Sequence, residues 1–165
     1  MIQGEKELEK ALRDKADIRM DKAVAKGILL VQENAKAECP VHDGELKRSI
    51  YTDVKTKADS VEGICYTNKK YAPYVEFGTG PKGQENHEGI SPDVAVAYVQ
   101  SPWWIHESQI DREVAEKYHF FSIDTPQGRF YQCTGQPAKP FLYPALKDHE
   151  DEVMRIVREE LVKQL

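Results

Sequence analysis

Five consecutive residues, Cys39-Pro40-Val41-His42-Asp43, hold the ingredients of a thiol nucleophile: a cysteine, an imidazole to take its proton and a carboxylate to orient the imidazole. Neighbours in sequence seldom serve one another in this way. Residues strung across a proline-containing helix exit direct their side chains apart, and a cysteine closing an amphipathic helix is usually a packing residue. Catalysis is not expected from them. His87, His106 and His119, with the acids of the same stretch, offer the nitrogen and oxygen ligands that zinc or iron takes. Their spacing matches no H-E-x-x-H, H-x-H or C-x-x-H element, and scattered loop histidines are ordinarily solvated or hydrogen-bonded. No metal and no cofactor is expected.

Gly78-Thr79-Gly80-Pro81-Lys82-Gly83 pairs glycines with a lysine, as phosphate cradles do, but lacks the Walker spacing and the helix that should follow it. It reads as a strand exit whose glycines permit positive φ and let another backbone come close. Trp103 and Trp104 are adjacent. In a strand their side chains face opposite ways, so at most one fits the core; the other is either exposed, where a large aromatic anchors protein interfaces, or tucked with it under a loop.

The elements that position these residues follow from periodicity. From Glu5 to Glu38 the apolar positions Leu8, Leu12, Met20, Val24, Ile28, Val31 and Ala35 recur at helical steps, predicting one long amphipathic helix ended by Pro40, with Gly27 a weak point. After an Asp43-Gly44 turn, Ile50–Thr56 and Val61–Thr67 alternate as two strands of an antiparallel hairpin. Tyr71–Phe77 reads as a short strand or buried connector that Pro73 confines to an edge.

Residues 81 to 116 are long for a connection and read as an inserted arm, with local packing at Val94, Val96 and Ser101–Ile105 and a helical turn or two over Ser108–Ala115. Lys117–Asp124 and Arg129–Thr134, joined by Thr125-Pro126-Gln127-Gly128, form a second hairpin. A last helix begins near Pro144 and carries Leu146, His149, Val153, Ile156, Val157, Glu160 and Leu161 on one stripe. The fold class is α+β: an antiparallel sheet of about four to five strands, a long N-terminal helix, a C-terminal helix and the arm, in one domain spanning 1–165.

The 165 residues carry a net charge of −5, which works against a large cationic footprint for nucleic acid. Between Gly83 and His119 seven acids (Glu85, Glu88, Asp93, Glu107, Asp111, Glu113, Glu116) face two bases, Arg112 and Lys117. Cys39, Cys65 and Cys133 are odd in number and far apart, so they read as reduced thiols. No apolar run approaches the ~20 residues of a membrane span, so no membrane association is expected and the product is cytosolic when made.

Three stretches carry a resemblance: Pro40-Val-His-Asp-Gly-Glu-Leu-Lys-Arg-Ser-Ile50, Tyr71-Ala-Pro-Tyr-Val-Glu-Phe-Gly-Thr-Gly80 and Gln136-Pro-Ala-Lys-Pro-Phe-Leu-Tyr-Pro-Ala-Leu146. In this order, framed by terminal helices, they resemble the tail-component, or neck (head-tail joining), proteins of long-tailed phages and prophages. Asp43 stands where that family usually has threonine, a change that keeps the turn by accepting a backbone hydrogen bond.

The resemblance implies a non-enzymatic virion protein at the head-to-tail junction or upper tail, assembled as a homo-oligomer ring between the phage connector and tail-tube or tail-terminator proteins. DNA would only pass through its lumen. It further implies a virion location, with the host cytoplasm as the place of assembly. Tyr74, Glu76, Phe77, Thr79 and Phe141 are expected to lie near subunit contacts or to brace them, and the arm bearing Trp103 and Trp104 to reach a neighbour. The competing readings are a phage-encoded protein-binding module, and a small hydrolase or metalloprotein using Cys39 or the histidines.

Overall fold

The structure, a computed structural model, describes residues 19–164. The expected helix therefore lies outside the described residues from Glu5 to Ile18. The described chain is α+β and forms two compact units, one running to Lys69 and resuming at Phe141, the other Lys70–Pro140.

In the first unit, α1 (Met20–Glu38) buries Ala23, Gly27, Ile28, Val31 and Ala35 on one stripe. It ends where Cys39 leaves helical geometry before Pro40. After the short helix α2 (Glu45–Arg48), β1 (Ile50–Thr56) and β2 (Val61–Thr67) pair antiparallel in the register Ile50 with Thr67 to Thr56 with Val61. The hairpin lies against α1 at Gly63, where a Cβ would stand 2.9 Å from Val24 Cγ1 and 3.2 Å from Ile28 Cβ. Ser49, buried beside it, satisfies its hydroxyl on Leu46 O at 2.8 Å and Thr67 Oγ1 at 2.7 Å.

The expected single C-terminal helix is two, α6 (Tyr143–Lys147) and α7 (Glu150–Val162). Pro144 does occupy the first turn of α6. The chain then tightens, His149 N–H donating to Leu146 O three residues back at 3.2 Å, and this break resets the stripe and leaves Leu146 exposed. Val153, Ile156, Val157, Glu160 and Leu161 remain on the half-buried side of α7. Gly27 is a site of close approach and not a weak point: a Cβ there would meet Val157 Cγ2 at 2.9 Å and Val153 Cγ1 at 3.2 Å.

The second unit holds α3 (Ala72–Glu76), α4 (Gly80–Glu85), β3 (Trp103–His106), a 3-10 turn (Glu107–Gln109), α5 (Arg112–Lys117), β4 (Ser122–Thr125) and β5 (Gly128–Cys133). Its sheet is antiparallel in the order β3-β5-β4. The five strands are thus divided into sheets of two and three. The stretch expected as a short edge strand or buried connector, Tyr71–Phe77, is helical over Ala72–Glu76 because Pro73 falls in the first turn of α3, where its missing N–H costs nothing.

The stretch 81–116 is structured at its two ends, while 86–102 contain no helix or strand. It holds most of α4, supplies β3 as one edge of the sheet, and forms the 3-10 turn and most of α5. The second hairpin is present but starts late, at Ser122, because α5 runs through Lys117 and exits by a left-handed His119 (φ 52°).

Candidate assembly surface

The base of the second unit is where two of the resembling stretches meet. Thr79 and Gln136 form an antiparallel bridge: Thr79 N–H donates to Gln136 O at 2.9 Å and Gln136 N–H returns to Thr79 O at 3.1 Å. On either side Gln136 Nε2 donates to Tyr74 O at 2.7 Å, Lys139 N–H to Val75 O at 2.8 Å and Lys82 N–H to Thr134 O at 3.2 Å. Segments far apart in sequence are thereby clamped together, and everything between them is a closed excursion from one base.

Glycines make the clamp possible. Gly78 (φ +74°) and Gly80 (φ +60°) take left-handed backbone. A Cβ on Gly78 would lie 2.7 Å from Ala138 N and 2.8 Å from Gln136 O. The glycine-rich run therefore admits another backbone, as its sequence indicates, but it is not the expected strand exit: it follows α3 and itself opens α4, with Pro81 in the first turn.

Among the expected interface residues, Tyr74 and Trp104 are exposed, at 59% and 42%. Phe77, Thr79 and Trp103 are half-buried, and Glu76 and Phe141 are buried. The adjacent tryptophans do face opposite ways. Trp103 lies over Gly80, its ring carbon Cζ3 2.8 Å from where a Cβ would be.

Trp104 opens a row across the sheet. It pairs with Gln132, whose N–H donates to Phe121 O at 2.7 Å, and the rings of Trp104 and Phe121 stand 6.1 Å apart. In the next row of the same face His106, Phe130 and Ile123 are in register, His106 meeting Phe130 edge-on at 5.0 Å. Phe121 (63%) and Ile123 (40%) are exposed beside Trp104. Sequence reasoning missed both. Their signal was the alternation of Phe121, Ile123 and Thr125 leading into the Pro126-Gln127-Gly128 turn.

The residues with catalytic or ligating chemistry are dispersed. Cys39 is buried, its thiol 3.7 Å from its neighbour's carbonyl, Pro40 O, while His42 is exposed. Asp43 Oδ1 accepts the Glu45 N–H at 2.9 Å, and that bond is the main cause holding its carboxyl below the usual range. Asp43 thus keeps its turn by accepting a backbone hydrogen bond, as its sequence indicates. Burial pushes the Cys65 thiol up, away from thiolate chemistry.

His87 Nδ1 lies 3.3 Å from Gly83 O and its ring stacks on Tyr98. His106 is held by Ser108 Oγ at 2.8 Å and Gln127 O at 3.0 Å. No group of three or more His, Cys, Asp or Glu able to hold a metal ion occurs among the described residues. No described helix is long and apolar enough to cross a membrane.

A shallow depression of about 320 Å³ on the other face of the sheet includes Arg112, Asp124, Arg129 and Tyr131. Its two cations are already engaged. Arg129 Nε and Nη2 reach both Asp124 oxygens at 2.7 and 3.2 Å, and Arg112 Nε reaches Glu116 at 2.7 Å. That bidentate bond raises the Arg129 pKa and lowers that of Asp124, so neither arginine is set out for an anionic ligand. All seven acids of the middle stretch are exposed.

No curated protein and no solved structure matches the chain. A family model does match, that of "Bacteriophage HK97-gp10, putative tail-component", over residues 3–78. The matched stretch includes α1, the first hairpin and α3, together with the turn built by Asp43. Over residues 3–78, less than half of its length, the chain is thus similar to a family of phage tail components.

Proposed function

We propose that the protein is a structural component of a tailed-phage virion that joins head to tail, as a neck or tail-completion protein assembled in a homo-oligomeric ring. The tail-component family match over residues 3–78 carries this reading. The exposed Trp104, Phe121 and Ile123 side chains support it, since apolar side chains grouped on one sheet face suit a protein partner. So does the exposed acidity of the middle stretch, which repels DNA and would ease a genome through a lumen.

On this reading the partners are the phage connector and the tail-tube or tail-terminator proteins, and DNA only passes. The protein gathers on that platform in the host cytoplasm and leaves with the virion. Tyr74 and Trp104 make subunit contacts, while Glu76, Phe77, Thr79, Trp103 and Phe141 brace them from within.

The test is deletion of the gene from its phage or prophage, with a complemented control, and electron microscopy of the lysate. DNA-filled heads separated from tails, or tails malformed at the upper end, are expected. Normal infectious virions would overturn the reading.

A further inference from the structure

Among the described residues the hairpin β1–β2 leaves one edge open. Lys57 N–H donates to Ser60 O at 2.8 Å, so the alternate pairs Lys55 with Glu62, Asp53 with Ile64 and Tyr51 with Tyr66 exchange the ladder bonds. The N–H and C=O groups of Val61, Gly63 and Cys65 then point away from β1. On the β1 side the outward groups are partly taken, Ile50 O by Gln32 Nε2 at 2.8 Å and Val54 N–H by Asp53 Oδ1 at 2.9 Å. On the β2 side no described residue takes them. A two-stranded hairpin is marginal alone and gains from a third strand, and an open edge is a template for one.

The second unit contains a segment suited to that edge. Val94-Ala-Val-Ala-Tyr-Val-Gln100 is built mostly of strand-favouring residues, and no charge occurs from Val94 to Ile105. Yet it belongs to no strand. From Ala95 to Gln100 no backbone N–H or C=O bonds to another backbone group among the described residues.

It is anchored all the same. Tyr98 Oη donates to Phe77 O at 2.7 Å, and Gly83 leaves room for the ring, 2.9 Å from where a Cβ would stand. Val96 and Tyr98 are half-buried while Ala95, Ala97 and Val99 are exposed, the two-residue period of a strand. Its length equals the seven residues of β2.

We propose that Val94–Gln100 of one copy adds as a third strand to the free β2 edge of a second copy. Each subunit gives one strand and receives one, a head-to-tail contact that closes into a ring when the rotation permits. This rests on the ring reading above and names the contact that builds it.

The test places a photo-crosslinking amino acid at Ala97 in the protein carried by assembled particles. The expected product is a dimer-sized adduct whose digest joins the peptide containing position 97 to one containing 61–67. Because alternate residues of a strand point their N–H groups to opposite sides, only one of the variants Ala95→Pro/Val99→Pro and Val96→Pro, each still carrying the crosslinker at position 97, should abolish the adduct. Both should fold with the melting temperature of the wild type. An adduct of monomer size, one joined elsewhere, or none would overturn the strand pairing. If particles still show a closed ring of this protein, only the pairing fails. If they show none and the deletion phage is infectious, the ring reading fails with it.

Discussion

Thr79 and Gln136 lie far apart in sequence and exchange two backbone hydrogen bonds, at 2.9 and 3.1 Å, that close the base of the second unit. Gly135, beside Gln136, is what allows it: a Cβ there would sit 1.8 Å from Thr79 O, at φ +82°. The backbone itself would have to move. Gly135→Ala should therefore cost about 3 kcal/mol in urea unfolding and raise amide exchange at Thr79 and Gln136. Gly89→Ala is the control. It has a similar φ of +77° but meets only the Pro140 side chain at 3.2 Å, so about 1 kcal/mol is expected. Equal losses would show that the bridge does not fix the base.

Which elements were legible follows from how local their causes are. The described part of α1 and the first hairpin are written in runs long enough for periodicity to speak, and the bond from Glu45 N–H to Asp43 lies within three residues. Tyr71–Phe77 was misread because Pro73 fits an edge strand and a first helical turn equally well, and five helical residues are too few for a period to decide. β3 has only four residues, and its partner β5 comes more than twenty positions later, so nothing near Trp103 announces it. The clamp between Thr79 and Gln136 is equally non-local. Sequence indicated that Gly78 and Gly80 admit a backbone, but not which one.

The approach of α1 to α7 turns on Gly27 and Val157. Alanine at position 27 gains helix propensity of about 1 kcal/mol but thrusts its Cβ to 2.9 Å from Val157 Cγ2, a stiff β-branched side chain. Gly27→Ala should destabilise the wild type. In a Val157→Ala background, with that methyl gone, the same change should become neutral or stabilising. A double-mutant cycle in urea should give a coupling of about 1 kcal/mol or more. Additive effects would mean that the helices simply move apart.

Lys26 and Glu160 join the same two helices. The Lys26 ammonium bonded to Glu160 Oε2, on a side chain only 15% exposed, is the main cause holding that carboxyl below its ordinary range, with Lys163 helping. A depressed carboxyl contributes stability above its unfolded pKa of about 4.3 and loses it as pH falls through the lower folded value. Glu160→Gln should thus be less stable than wild type at pH 7, and the gap should narrow as pH falls below the usual glutamate range. Thermal melts of both proteins across pH 7 to 3 read this directly. A gap independent of pH would assign the loss to packing.

The proposed surface separates into residues that make contacts and residues that brace them, and substitution should tell the two apart. Phe141 is 0% exposed, so Phe141→Ala should cost about 3–5 kcal/mol and lower the melting temperature before any effect on assembly is considered. Tyr74 and Trp104 are 59% and 42% exposed, so Tyr74→Ala and Trp104→Ala should leave the melt nearly unchanged. Their effect should appear in complemented phage lysates, as separated heads and tails in the micrographs. Phe121→Ala, removing the ring beside Trp104, should reproduce the Trp104→Ala phenotype. If the exposed aromatics lower stability but leave virions intact, they serve only to pack their own sheet. In that case the contacts of the ring lie elsewhere on the chain.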